Sequence, residues 1–152
     1  MDLNLQLKLK GDLSIKKYNK DNKLVQKLDV PNLIVTAGKQ YIASKIVGYT
    51  GSSSNVMSHM GIGTSNATPE AGNTTLAAAI SGARVELAPT TVSGTIVTYS
   101  ATFGPGVGTG SVVEAGIFNA LSAGTMLCRT VFPVVNKDGL ETIVITWNIS
   151  VG

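Results

Sequence analysis

A strict alternation of apolar and polar residues near the end of the chain constrains the fold more than any other feature. The apolar positions are Ile143, Ile145, Trp147, Ile149 and Val151, and the residues between them are mostly polar. A period of two is typical of a β-strand that buries one face and leaves the other in solvent. The chain is therefore expected to build at least one sheet with a covered face.

Two turn signals suggest how this strand is paired. The segment 126–135 precedes it, and the link Asn136–Gly139 contains an Asp-Gly pair, which supplies the positive φ that hairpin turns favour. Ser122, Ala123 and Gly124 form a second turn between 112–119 and 126–135. We therefore expect three consecutive strands that pair in sequence order.

This region also carries a family resemblance. The motifs are EAGIFNA (114–120), GTMLCRTVF (124–132), VPNLIVTAGKQYIASKI (30–46), MSHMGIGT (57–64) and YSATFGPGVGTGSVVEAG (99–116). In this order they resemble a family of small tailed-bacteriophage virion proteins, described as head decoration (cement) proteins or as tail-fibre and baseplate components. The resemblance covers most of the chain and implies a structural role in a virion that is assembled in the bacterial host cytoplasm. None of the motifs encodes a reaction.

The N-terminal part of the chain is basic and alternating. Leu3, Leu5, Leu7 and Leu9 alternate with polar residues, and a turn at 19–23 separates this run from a second strand that ends before Pro31. Residues 1–45 hold nine of the twelve basic residues and a local charge of +5. Residues 1–30 are expected to form a hairpin that either joins the main sheet or reaches a neighbouring subunit.

The lysines of this hairpin have two interpretations. They could meet an acidic surface of a partner, with an attraction that weakens as salt is added. They could instead line solvent-facing and edge positions, where they discourage aggregation between sheet edges. The lysines include no arginine among them and do not alternate regularly with aromatic residues, so nucleic acid is not expected as a partner.

One helix is predicted, over Ala37–Val47, with Thr36 as its N-cap. An apolar stripe of Tyr41, Ile42 and Ile46, with the stem of Lys45, is expected to face the core, whereas Gly38, Lys39 and Gln40 favour solvent. Gly48 and the stretch 51–54 are expected to end the helix.

The middle of the chain predicts short strands separated by loops. A strand over Val56–Gly63 is followed by a polar loop at 64–75, which is a natural place for contacts or for mobility, and by a helical turn at Leu76–Ile80. Arg84–Ala88 and Thr95–Phe103 are expected to pair as a hairpin around Ser93-Gly94. The glycine-rich segment 104–110 lacks the Gly-Lys-Ser/Thr ending of a phosphate loop and is interpreted as a flexible connection.

Catalytic and metal-binding chemistry has little support. The one histidine, His59, follows Ser58, but no Gly-x-Ser-x-Gly motif accompanies it, and a structural histidine is expected. The one cysteine, Cys128, lies in a strand pattern and is expected to be buried. Glu114 and Arg129 are interpreted as a cross-strand or intersubunit ion pair, and Glu86 could meet Arg84 or another chain. We expect no enzyme activity, no cofactor and no metal.

These observations predict one mainly β domain over residues 1–152. The expected fold is an antiparallel β-sandwich, jelly-roll-like in topology, of about eight strands with one helix after the N-terminal hairpin. The expected role is a capsid decoration protein that binds the major capsid protein and copies of itself, with no membrane contact; the alternative is a tail-fibre, adaptor or baseplate component. The candidate partner-binding residues are Lys8, Lys10, Lys16, Lys17, Lys20, Lys23, Lys27, Asn66, Thr68 and Glu70.

Overall fold

The computed structural model describes residues 8–48 and 55–152. The alternation at Leu3, Leu5 and Leu7 and the helix-ending stretch 51–54 lie outside these ranges. Within them the elements are β1 Leu9–Tyr18, β2 Leu24–Pro31, β3 Leu33–Ile34, α1 Thr36–Ile46, β4 His59–Gly63, β5 Ala79–Glu86, β6 Thr91–Ser93, β7 Ile96–Phe103, β8 Gly110–Phe118, β9 Met126–Lys137 and β10 Thr142–Val151.

The strands form two five-stranded antiparallel sheets. Sheet A has the order β2-β1-β10-β7-β6, and sheet B has the order β3-β9-β8-β4-β5. The prediction of a mainly β, antiparallel sandwich with one helix after the N-terminal hairpin is confirmed, with ten strands in the described ranges where about eight were expected. The jelly-roll topology stays a prediction.

The N-terminal hairpin is an integral part of sheet A. β1 pairs with β10 from Leu9 opposite Val151 to Tyr18 opposite Thr142, and β2 pairs with the other side of β1. Of the two outcomes left open by the sequence, the described part of the hairpin therefore joins the main sheet.

The strict alternation of β10 places its apolar side chains in the core between the sheets. Ile143, Ile145 and Trp147 are fully buried, and Ile149 is nearly so. Leu13 and Ile15 of β1 join them in the same hydrophobic cluster, whereas the intervening residues of β10 are half-buried on the outer face of sheet A. Cys128 also lies in this core, as predicted, and burial raises the pKa of its thiol.

The predicted pairing of β9 with β10 is wrong. β9 belongs to sheet B and β10 to sheet A, so residues 138–141 carry the chain across the sandwich. Gly139 does not have the positive φ that a hairpin turn would use; instead Asp138 Oδ1 accepts hydrogen bonds from the N–H groups of Leu140 and Glu141. Alternation identified the strand but held no information about its partner. The predicted hairpin between β8 and β9 is confirmed, and Ala123 and Gly124 in its loop have positive φ.

The predicted hairpin between Arg84–Ala88 and Thr95–Phe103 is also wrong. β5 pairs with β4 in sheet B, and the hairpin partner of β7 is the short β6, with Gly94 at positive φ in the turn. The predicted helical turn at Leu76–Ile80 is absent from this described segment, because Ala79 and Ile80 begin β5.

The helix is confirmed, and Tyr41 and Ile42 pack against the core as predicted, but two of its residues are placed differently. It begins at Thr36, and the N-cap is Val35, with no side-chain cap. Gly38, expected in solvent, is the buried residue of the helix, and Ile46, expected in the core, is 78% exposed. A side chain at position 38 would overlap the main-chain carbonyl of Leu127, so glycine permits close packing of α1 on β9.

Substitution of Gly38 tests this packing. Gly38→Ala is expected to lower the free energy of unfolding by about 1–3 kcal/mol, because the new methyl group meets rigid backbone of β9. Gly139→Ala is the matched control, since its methyl group would meet no atom within 4 Å. Urea unfolding of both variants checks the expectation, and equal stability of the two would contradict the packing of α1.

Candidate functional site

Part of the outer face of sheet B, around residues 114–118 of β8, is covered by the polar loop 64–78, which connects β4 to β5. Leu76 of this loop is 5% exposed and forms a second hydrophobic cluster with Val35, Phe118 and Met126. Residues 114–119 of β8 and its following turn are therefore buried on both faces of the strand. The loop acts as a third layer of the structure.

Glycines in the strands allow the loop to lie close to the sheet. A Cβ atom at Gly116 would lie 3.0 Å from Leu76 Cδ2, and one at Gly61 would lie 3.4 Å from Leu76 Cδ1. A Cβ atom at Gly63 would lie 2.5 Å from the carbonyl oxygen of Ala78 and would also overlap the Glu114 carboxylate. The motifs MGIG and EAG thus contain the residues that make room for the loop.

A fully buried ion pair lies beneath the loop. Arg129 of β9 and Glu114 of β8 are 1% and 0% exposed. Both Nε and Nη2 of Arg129 contact Glu114 Oε2, at 2.9 and 2.8 Å. The predicted cross-strand ion pair is therefore confirmed, in diagonal positions, because Arg129 lies opposite Gly116 and Glu114 opposite Val131.

Both charged groups also bind the loop. Glu114 accepts hydrogen bonds from the main-chain N–H groups of Ala77 and Ala78, at 3.1 and 2.7 Å. Arg129 donates from Nη2 to the carbonyl oxygen of Ala67 and from Nη1 to Asn73 Oδ1, at 3.0 and 3.2 Å. The ion pair thus ties both halves of the loop to the sheet, and these bonds offset the cost of burying the charges.

Hydrogen bonds inside the loop complete its structure. Asn73 Oδ1 also accepts from the Glu70 N–H, and the carbonyl oxygen of Glu70 accepts from the Asn73 N–H. The carbonyl oxygen of Ala71 accepts from the N–H of Thr36, at the start of α1. Asn66, Thr68 and Glu70 remain exposed on this fixed backbone.

Arg84 supports the neighbouring turn of sheet B. Its guanidinium lies 3.6 Å from the centre of the Phe118 ring and donates to the carbonyl oxygens of Ala120 and Ala123. Burial lowers the pKa of Arg84. Arg84 therefore holds the β8–β9 turn. The sequence had suggested a contact with Glu86 and did not predict this role.

The candidate lysines lie on sheet A and in its hairpin turn. Lys10 contacts Asp12 at 3.3 Å and Lys27 contacts Asp29 at 3.7 Å, both at exposed positions. Lys16 lies opposite Lys27 in the β1–β2 register. The remaining exposed candidates are Lys8, before β1, and Lys20 and Lys23, in the turn.

Lys17 differs from the other candidates. Its side chain is only 14% exposed, and its Nζ lies 3.3 Å from a Glu141 carboxylate oxygen and donates to the carbonyl oxygen of Asn136 at 2.8 Å. It ties β1 to the connection between β9 and β10. The structure therefore assigns Lys17 an internal bridging role instead of the expected exposed one.

The structure does not bring the two groups of candidate residues together. The hairpin lysines belong to sheet A, whereas Asn66, Thr68 and Glu70 lie on the loop that covers the outer face of sheet B. The sandwich therefore presents two chemically different surfaces on opposite sides.

The glycine-rich segment 104–110 is held by contacts that the sequence did not reveal. Lys137 is 2% exposed and donates from Nζ to the carbonyl oxygen of Gly104 at 2.9 Å. The N–H of Gly106 donates to the carbonyl oxygen of Gly139. These bonds join the segment that follows β7 to the end of β9 and the connection that follows it. The segment is therefore more constrained than the flexible connection that was expected.

The histidine contacts the serine beside it, and the potential metal ligands do not cluster within the described residues. His59 is half-buried in β4, and its Nδ1 lies 2.8 Å from the Ser58 hydroxyl. No group of three His, Cys, Asp or Glu side chains within 8–48 and 55–152 is placed to hold a metal ion. Across the same residues, no helix has the length and apolar character needed to cross a membrane.

Comparisons with protein-family models, curated proteins and solved structures found no match for this chain.

Breaking the buried ion pair tests its role. Arg129→Met leaves the Glu114 carboxylate buried without its partner, so the free energy of unfolding is expected to fall by about 3–5 kcal/mol. Cleavage within residues 64–78 should also accelerate in limited proteolysis, because two of the bonds to the loop are lost.

Arg84→Met is the matched control on the same side of sheet B. It removes bonds to neutral carbonyl groups and the contact with the Phe118 ring but breaks no ion pair, and should cost about 1–2 kcal/mol, with the loop still protected from protease. An Arg129→Met variant that loses no more stability than Arg84→Met and keeps the loop equally resistant to protease would contradict this role of the ion pair.

Proposed function

We propose that this chain is a bacteriophage virion structural protein that decorates the head and stabilises contacts between subunits of the major capsid protein. The sequence motifs that resemble small virion proteins suggest the kind of particle. The observation that carries the decoration role is the fixed loop 64–78, since the Glu114–Arg129 pair holds its exposed residues in place before any partner binds.

A fixed loop favours binding because little conformational entropy is lost when a partner orders it. Asn66 and Thr68 offer neutral hydrogen-bonding groups, and Glu70 adds a carboxylate. We infer that these three side chains contact one capsid subunit through short-range bonds that depend little on salt.

The basic hairpin surface, which we define as Lys16, Lys20 and Lys23, offers a different kind of contact. Lys20 and Lys23 are exposed in the turn, and Lys16 is half-buried at the adjoining end of β1. An acidic surface of a second capsid subunit would complement it, with an attraction that weakens as salt is added.

Two unlike surfaces on opposite sides of one sandwich suit a protein that bridges neighbouring subunits. Each contact can be weak, because a symmetric shell repeats it many times and the tethered copies raise the effective concentration. A decoration protein of this kind would oppose separation of capsid subunits under internal pressure. Copies of the chain itself are proposed as further partners, and neither nucleic acid nor a membrane is.

One observation favours the alternative of a tail-fibre, adaptor or baseplate component that takes part in host attachment. The outer face of sheet A has a shallow groove of about 310 Å³, and its polar side chains include Asp12, Ser14, Asp29 and Asn148. Carboxylate, amide and hydroxyl groups are suited to hydrogen-bonding the hydroxyls of a host glycan.

Sedimentation with virion parts tests the decoration role. Purified protein is mixed with heads stripped of it and with isolated tails, and we expect saturable binding to heads with greater resistance of the heads to heat. Binding to tails alone, or to host glycans in place of heads, would support the alternative, and binding to neither part would refute both.

Two variants locate the contacts once binding is seen. Charge reversal of Lys16, Lys20 and Lys23 to Glu is expected to weaken head binding by about tenfold or more at moderate salt. The control reverses Lys8, Lys10 and Lys39, which gives the same net charge near the opposite end of β1 and should retain most binding. Alanine at Asn66, Thr68 and Glu70 should weaken binding without changing its salt dependence.

A further inference from the structure

The outer strand of sheet A has an unpaired side in the described chain. β2 is the terminal strand of the sheet and pairs only with β1. Its first two residues are large and apolar, yet Leu24 is 51% exposed and Val25 is 49% exposed. An open strand of eight residues is a surface on which another strand can add by main-chain hydrogen bonds.

The register of β2 shows which main-chain groups face this open side. Asn32 donates its N–H to the carbonyl oxygen of Gly11, so the main-chain groups of Asn32 point toward β1. Because successive residues of a strand point these groups in opposite directions, those of Lys27 and Asp29 point away from β1. Four main-chain groups of these two residues are therefore directed at the open side.

The side chains on the outer face of β2 form a row that is complementary to itself. In order along the strand this row is Val25, Lys27, Asp29 and Pro31, with the basic and acidic residues at its centre. The charged side chains are 51% and 67% exposed. When a second copy of this row runs antiparallel to the first, the lysine of each copy lies opposite the aspartate of the other. The apolar residues at the two ends of the row then also lie opposite each other.

We propose that two copies of this chain associate through β2, antiparallel, around a two-fold axis at Leu28. In this register Lys27 of each copy lies opposite Asp29 of the other, and Val25 lies opposite Pro31. An axis at residue 27 would place two lysines together, and an axis at residue 29 would place two aspartates together. Like charges directly opposite each other are unfavourable, so the charges select the register at Leu28.

The dimer joins the two copies of sheet A into one sheet of ten strands. The two Lys27–Asp29 positions exchange four main-chain hydrogen bonds, as hydrogen-bonded pairs of an antiparallel ladder do. The exposed side chains of Val25 gain apolar contacts with Pro31. The loop 64–78 and the hairpin turn stay outside the interface. The inference does not depend on the capsid assignment, so either can fail without the other.

Sedimentation equilibrium of charge variants tests the dimer. The unmodified chain is expected to dimerise reversibly, and Lys27→Glu or Asp29→Lys should each weaken dimerisation by about tenfold or more, since each introduces two like-charge pairs. The double variant Lys27→Glu with Asp29→Lys should restore it. Lys10→Glu is the matched control, because Lys10 and Asp12 have the same spacing on the interior strand β1.

If the chain stays monomeric at all concentrations up to about 1 mM, the proposal is overturned. The charges of β2 would then serve only to discourage aggregation at the sheet edge. Failure of the double variant to restore dimerisation would also overturn it, and circular dichroism of each variant verifies the fold.

Disulfide trapping tests the register separately. Lys27→Cys and Asp29→Cys variants are mixed and oxidised; in the proposed register the two positions have Cα atoms about 5.5 Å apart, within reach of a disulfide. The mixed product should form in large excess over either homodimer. Mixed product at only about twice the amount of each homodimer, as random pairing gives, would overturn the register, and buried Cys128 does not compete for the bond.

Discussion

The ion pair between Glu114 and Arg129 is the interaction on which the structure of sheet B depends. Two opposite charges that are fully buried are stable only when nearly all of their polar atoms have hydrogen-bond partners. Here these partners come from the loop 64–78. The pair and the loop therefore require each other. Loss of the loop would expose the charges to solvent, and loss of one charge would leave the other buried without compensation.

This dependence makes the two sides of the sandwich different. Sheet A is a one-sided sheet, with an apolar inner face and a hydrated outer face that carries lysines, aspartates and hydroxyl groups. The middle of sheet B, at residues 114–118 of β8, is buried on both faces, because Leu76 and the Glu114–Arg129 ion pair hold the polar loop against it. A partner that touches sheet A meets exposed charged side chains on a regular surface, whereas a partner on the other side meets a loop whose backbone is held by hydrogen bonds.

The sequence predicted what local patterns encode and failed where the answer depends on distant partners. The alternation in β10 and the turn before β9 identified strands, and Glu114 with Arg129 was correctly paired. Alternation does not name a neighbouring strand, so β10 was assigned to the wrong sheet. The unbroken apolar run around Gly116, together with Gly61 and Gly63, was the available signal for burial on both faces, but nothing local to the loop showed that it would cover them. The same limit applied to Lys17, whose partner Glu141 lies far along the chain.

Hydrogen exchange at the main-chain amides of Ala77 and Ala78 tests the central claim most directly, because both donate to the buried Glu114 carboxylate. If the ion pair fixes the loop as a layer of the fold, these amides exchange only through large-scale unfolding, as slowly as the core amides of β8. Exposed amides of the same loop, such as that of Thr68, provide the internal reference. Exchange of Ala77 and Ala78 as fast as this reference would show that the loop opens independently of the sandwich and would contradict the account.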